Sequence, residues 1–124
     1  MKDYDNFFLP VSDLERAKDF YGGILGLPVK FDFSDKGMAA FKIGGQEPAV
    51  ILKDVKKFPD AKPTIWFLVN DTKQEFEKLK GKGVKFISEP FQIPAGYAAE
   101  FDDPFGNRLG ITDYSNGNEI ENPV

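Results

Sequence analysis

The chain has no histidine and no cysteine, which removes imidazole and thiolate from any chemistry it performs. Without cysteine there are no disulfides, no redox pair and no thiol nucleophile. What remains for chemistry is oxygen, one indole and the basic side chains. An oxygen-only calcium or magnesium site needs a loop of acids at fixed spacing, and no such loop is present. Trp66 is the sole tryptophan. It serves either as a core ring or as a stacking surface for a planar ligand. Arg108 offers a planar fork that suits a salt bridge, or a ligand carboxylate or phosphate. Glu100 breaks the apolar run Ala98, Ala99, Phe101, and a strand-edge or salt-bridge role is favoured over general-base work. Thirteen phenylalanines in 124 residues exceed what a small core ordinarily uses and suit an aromatic-lined pocket.

Bulk properties bound the partners. The net charge is -4, from 20 acidic and 16 basic residues, and there is no basic stripe. Nucleic acid is therefore not an expected partner. No apolar run reaches the ~18 residues that a membrane helix requires, and residues 1–5 hold no apolar signal region. The expectation is a cytoplasmic protein with a small-molecule partner. At this length the chain is expected to form one domain burying about two-thirds of its unfolded surface.

The elements that would position these residues come in duplicate. Leu-Pro-Val-Ser-Asp at 9–13 matches Phe-Leu-Val-Asn-Asp at 67–71, a shift of 58. Val-Lys-Phe recurs at 29–31 and 84–86, a shift of 55. Gly-Met-Ala-Ala-Phe at 37–41 answers Gly-Tyr-Ala-Ala-Glu-Phe at 96–101. Three anchors in one order mark an internal repeat.

Each copy reads as strand, helix, then three strands. In the first, residues 6–11 form an apolar strand, and Ser12 with Glu15 reads as a capping box. Leu14, Ala17, Phe20, Tyr21, Ile24 and Leu25 follow at helical spacing, with Gly26 as the stop. Strands are expected at 29–33, 38–43 and 49–53. In the second copy Asp71 caps a helix carrying Thr72, Phe76 and Leu79, closed by Gly81 and Gly83. Strands are expected at 84–87, 97–101 and 108–112. Asp13 and Asp71 are helix caps, and Asp-Pro-Phe-Gly-Asn at 103–107 is a structural turn. Module one spans about 4–55 and module two about 63–115, joined by a linker at 56–63. A polar, frayed tail occupies 116–124.

This pattern resembles the vicinal oxygen chelate superfamily, which groups glyoxalase I, bleomycin-resistance proteins and extradiol dioxygenases. The carrying residues are the stretch 9–21 with Leu-Gly-Leu at 25–27, Val-Asn-Asp at 69–71, 83–86 and 103–107, over about residues 4–115. The resemblance implies an α+β fold: tandem βαβββ modules forming a cupped mixed sheet with helices outside. It also implies a homodimer, and in the enzymes a divalent metal held by His, Glu or Gln on the first and last strand of each module. Those slots fall here on Asn6, Val50, Thr64 and Gly110. Two are weak neutral donors and two offer no donor, so no metal and no other cofactor is expected.

Strand alternation from these slots gives the inward set: Asn6, Phe8, Val50, Leu52, Thr64, Trp66, Arg108, Gly110 and Thr112. The leading expectation is a metal-independent binding protein that encloses an apolar or aromatic ligand, in the manner of antibiotic sequestration. The alternative is a glyoxalase-like lyase or a dioxygenase.

Overall fold

The computed structural model describes residues 1–45 and 48–116, so the expected tail lies outside the described residues except for Asn116. The chain divides into two compact units. One is formed by residues 6–63; the other joins residues 1–5 to the chain from 64 onward. The first five residues go with the second unit because Lys2 N–H donates to the Leu68 carbonyl at 2.8 Å. Farther along, the Tyr114 hydroxyl donates to the Asp5 carboxylate.

The first unit carries β1 (Asp3–Val11) from Asn6 onward, α1 (Leu14–Lys18), β2 (Val29–Phe33), β3 (Met38–Lys42) and β4 (Ala49–Asp54). Its strands lie in the order β2-β3-β4-β1, with β1 parallel to β4 and the other pairs antiparallel. The second unit carries β5 (Thr64–Leu68), α2 (Thr72–Gly81), β6 (Phe91–Ile93), β7 (Gly96–Asp102) and β8 (Arg108–Thr112). Its order is β5-β8-β7-β6, with β5 parallel to β8. The two units thus repeat one βαβββ plan.

Both helices begin as the aspartates require. Asp13 and Asp71 are extended, and each carboxylate accepts the backbone N–H three residues on, from Arg16 and Gln74, at 3.1 Å. The cap is therefore Asp13, and Ser12 stands one residue before it.

The first helix departs from the expected stripe. After α1 the chain widens into a π-helical turn, Asp19–Ile24, with Leu25 N–H bonded to the Phe20 carbonyl at 2.9 Å. A π turn carries an extra residue, so side chains beyond it rotate away from an α-helical face. Leu14, Ala17 and Tyr21 reach the core, whereas Phe20, Ile24 and Leu25 are exposed. Gly26, at φ 73°, ends the segment in a conformation that favours glycine.

One expected strand is displaced. Residues 84–87 make a single bridge, Phe86 to Phe101, and the regular strand is β6 further on. Pro90 lies between the two, and a proline has no N–H to continue a ladder.

Each unit packs its own core between sheet and helix. In the first, Leu14, Ala39, Phe41, Val50 and Leu52 cluster with Phe7, Leu9 and Val11. In the second, Val69, Phe76, Ala99, Phe101 and Ile111 cluster with Val84, Phe86 and Leu109. Phe86 sits between Phe76 and Phe101, with ring centroids 4.5 and 5.1 Å away. Each such buried ring is worth roughly 1.5–3 kcal/mol.

Candidate ligand-binding face

Register decides which side chains share a face. In the second unit Thr64, Trp66 and Leu68 stand beside Arg108, Gly110 and Thr112, and these stand beside Asp102, Glu100 and Ala98. Ile65, Phe67, Leu109, Ile111, Ala99 and Phe101 take the opposite side, where the helix packs. Thr64, Trp66, Arg108, Gly110 and Thr112 therefore lie together on the face away from α2.

The centre of that face is one close contact. The Trp66 indole lies over Gly110: a Cβ built at residue 110 would stand 2.6 Å from Nε1 and 3.2 Å from Cγ of Trp66. From there Nε1–H donates to Glu100 Oε2 at 2.8 Å. The Phe91 ring, from β6, is 6.3 Å from the indole by centroids and partly exposed. Trp66 itself is buried, so of the two rings only Phe91 reaches the surface. The sequence favours a strand-edge or salt-bridge role for Glu100 and does not single out Phe91. No sequence signal marks this contact, because Glu100 and Gly110 become cross-strand partners only in the fold.

The other polar groups on this face are occupied. Arg108 Nε donates to Asp102 Oδ1 at 2.6 Å in a largely buried ion pair, so the salt-bridged alternative for this arginine is the one observed. The Thr112 hydroxyl donates to the Tyr97 carbonyl at 3.1 Å, and Thr112 is buried. The turn at 103–107 delivers Arg108 to its strand. Asp103 accepts from the Asn107 side chain and from the Asn107, Phe105 and Gly106 amides, which together hold its carboxyl below the ordinary range.

In the first unit the register corrects the fourth-strand assignment by one residue. Phe7 pairs with Val50 and Leu9 with Leu52, while Asn6 pairs with Ala49 and Phe8 with Ile51. Val50 and Leu52 thus belong to the helix-side core and not to the face of Asn6 and Phe8. The run 49–52 is apolar at every position, so its alternation carries no phase of its own; only pairing supplies one. The residues that share Phe8's face are Ile51 and Lys53 on β4, Met38 and Ala40 on β3, and Phe31 and Phe33 on β2. Phe31 and Phe33 stack at 4.9 Å, and the Lys53 ammonium sits 4.8 Å over the Phe8 ring.

These surroundings do not fit a divalent metal. Asn6 stands beside the methyl of Ala49, and Thr64 stands beside a guanidinium. Gly110 is covered by an indole. Among the described residues no three His, Cys, Asp or Glu side chains gather to hold an ion. No helix among the described residues is long and apolar enough to cross a membrane.

Known proteins bear on this arrangement. Residues 4–111 match the sequence profile of the Glyoxalase/Bleomycin resistance protein/Dioxygenase superfamily. An uncharacterized Bacillus subtilis (strain 168) protein, YurT, is 30% identical over 115 residues, covering 82% of this chain and 91% of its own. A variant of Streptomyces coelicolor methylmalonyl-CoA epimerase in complex with 2-nitronate-propionyl-CoA superposes with a TM-score of 0.75 at 18% identity, covering 99% of both chains. A glyoxalase/bleomycin resistance protein/dioxygenase superfamily member from Vibrio splendidus 12B01 superposes at 0.67 and 17% identity, covering 86% of this chain and 95% of its own. The expected α+β class, with paired βαβββ modules, is the fold of these structures. This chain belongs to the Glyoxalase/Bleomycin resistance protein/Dioxygenase superfamily.

Proposed function

We propose that the protein is a metal-independent binder of a small apolar or aromatic molecule, and that the Trp66 face is where the ligand lies. The observation that carries this reading is the Trp66–Gly110 contact: the family slot that would hold a ligating side chain is instead a glycine against which the buried Trp66 indole packs. An indole and a phenyl ring side by side, with a few polar groups, is the usual lining of a small-molecule site. Thr64, Arg108 and Thr112 complete the proposed set on this face, and Asn6 with Phe8 is proposed as the lining of the other unit. Arg108 is held by the Asp102 carboxylate and Thr112 by the Tyr97 carbonyl, which fixes both on this face. Val50 and Leu52 leave the set for the core. Sequestration requires no nucleophile, base or metal.

The test is direct because Trp66 is the single tryptophan. Titrating the protein with planar drugs and metabolites quenches or shifts its fluorescence and raises the melting temperature. No change in either signal across the panel refutes the reading.

A second reading is an enzyme of the same superfamily, a lyase, dioxygenase or epimerase. It is favoured by one feature, the carboxylate of Glu100 on the aromatic face, and by the fold shared with an epimerase. Turnover of a lactoylglutathione-forming, ring-cleaving or epimerising assay mixture, with metal added, establishes it. A cytoplasmic homodimer belongs to the proposal as well, and sedimentation at micromolar protein tests the pairing.

A further inference from the structure

We infer that the second unit carries a separate binding groove for a small apolar anion, an aromatic carboxylate, whose charge is met by Lys82 and Lys85. The groove lies at the C-terminal end of α2 and is lined by neither Trp66 nor Gly110, so it stands apart from the site proposed above.

The groove has a volume of about 680 Å³, with residues 82–87 on one side and 101–104 on the other. Small-molecule sites are ordinarily ~300–1,000 Å³. A gap in the repeat opens it. In the first unit Val29–Phe33 is a regular strand paired with β3 from end to end. In the second, Phe86 makes one bridge to Phe101, and the Ile87 N–H donates to the Glu100 carbonyl at 2.9 Å. Residues 82–85 form no ladder with β7, and Gly83, at φ 94°, turns the chain out of α2 there.

The lining is apolar between its charged ends. Val84 and Phe86 are half-buried, Phe101 packs on Phe86, and Ile87 is 48% exposed. A ring laid there removes Ile87 and the open parts of Val84 and Phe86 from water.

The charges at the groove are unequal. Asp102 is paired with the Arg108 guanidinium at 2.6 Å. The Asp103 carboxylate accepts from the Asn107 side chain and from the Phe105 and Asn107 amides. Lys82 and Lys85 are exposed, and among the described residues neither ammonium forms an ion pair. With Arg108 counted, three cations stand against two carboxylates. The C-terminal end of α2 opposes an anion, but Lys78 and Lys80 lie near that end and offset it. The backbone bearing the lysines is held in place: the Lys82 and Val84 amides donate to the Leu79 carbonyl at 3.0 and 3.1 Å, and the Gly83 amide to the Lys80 carbonyl at 3.0 Å. A carboxylate on a flat apolar body gains charge-assisted partners in both ammoniums while its rings cover the apolar lining. A cationic body meets like charge.

The experiment uses three probes of one shape: 2-naphthoate, an anion; 2-naphthamide, neutral; and 2-naphthylmethylammonium, a cation. Each is titrated into the unaltered full chain and followed by amide NMR. The anion is expected to bind about fivefold more tightly than the neutral probe, a modest factor because exposed ion pairs contribute little each, and the cation weakest. The amides that move lie in 82–87 and 101–104, and the signal of the single indole N–H, Trp66, stays in place. The preference shrinks as salt is raised. Lys82→Gln combined with Lys85→Gln brings the anion and the neutral probe to equal affinity. Lys56→Gln, at an exposed lysine of the first unit, keeps the preference. Equal binding of all three by the unaltered protein, or preference for the cation, overturns the anion assignment. Anion binding that moves amides elsewhere, or a preference unchanged in the double variant, overturns the groove. Binding of none of the three overturns the inference and leaves the Trp66 reading to its own titration.

Discussion

Gly110 lies directly beneath the Trp66 indole, and the space its absent Cβ leaves is filled by the ring. An added methyl would stand 2.6 Å from Nε1, far inside ordinary contact. Gly110 sits in regular strand, so the constraint is steric and not conformational. Gly110→Ala is expected to cost roughly 1–3 kcal/mol through overpacking. It also lifts the indole from Glu100 and moves Trp66 emission to the red. Urea unfolding followed by fluorescence measures both; an unchanged midpoint and spectrum would show that the ring is not seated on this residue.

Asp113 gives the protein an acid limit. It is buried just beyond β8 and accepts from the Thr72 amide at 2.6 Å, the Tyr97 amide at 3.0 Å and the Ser115 hydroxyl at 2.8 Å. Burial alone pushes its carboxyl up, but these hydrogen bonds outweigh it and the group is held below the ordinary range. A folded-state value below the unfolded one stabilises fully above the unfolded value of about 3.9 and is lost as pH falls through the folded one. Asp113→Asn turns an amide N–H₂ toward these donors or leaves them short of an acceptor, at a cost of about 1–3 kcal/mol at neutral pH. Urea midpoints at neutral pH and below about pH 4 should therefore lie closer together in the variant. An equal fall in variant and parent would assign the acid loss to other groups.

The two caps should be unequal. Asp71 starts ten residues of α-helix, and Asp13 starts five before the π turn. Asp71→Ala is expected to cost about 1 kcal/mol, and Asp13→Ala less, because a shorter helix has fewer bonds to lose. Paired chemical-denaturation curves compare them, and a larger effect at Asp13 contradicts the ranking.

Metal should leave the protein indifferent. Zinc, nickel, manganese or iron added in excess is expected to bring no stoichiometric binding in elemental analysis and no rise in melting temperature, and a chelator no fall. One tightly held ion per chain, lost together with ligand binding, would refute the proposed metal independence.

Much of this protein was legible before its structure. The repeat, the two Asp caps, the Gly26 stop, and the face shared by Thr64, Trp66, Arg108, Gly110 and Thr112 all rest on local rules: a side chain reaching its own backbone, or alternation broken by polar residues. Those rules act within a few residues, and sequence displays them. The fourth-strand assignment failed where the rule had nothing to act on. Residues 49–52 are uniformly apolar, so only the pairing of Phe7 with Val50 decided that Val50 and Leu52 face the helix. The π turn after α1, and the break of the sixth strand at Pro90, likewise depend on how a segment meets its neighbours. The contact brings Trp66 to Glu100, 34 residues away in sequence, and to Gly110, farther still. The sequence by itself determined that no imidazole or thiolate was available; the tertiary structure alone decided that a carboxylate would stand at the end of an indole, because strand pairing brings three separate strands into register at that point.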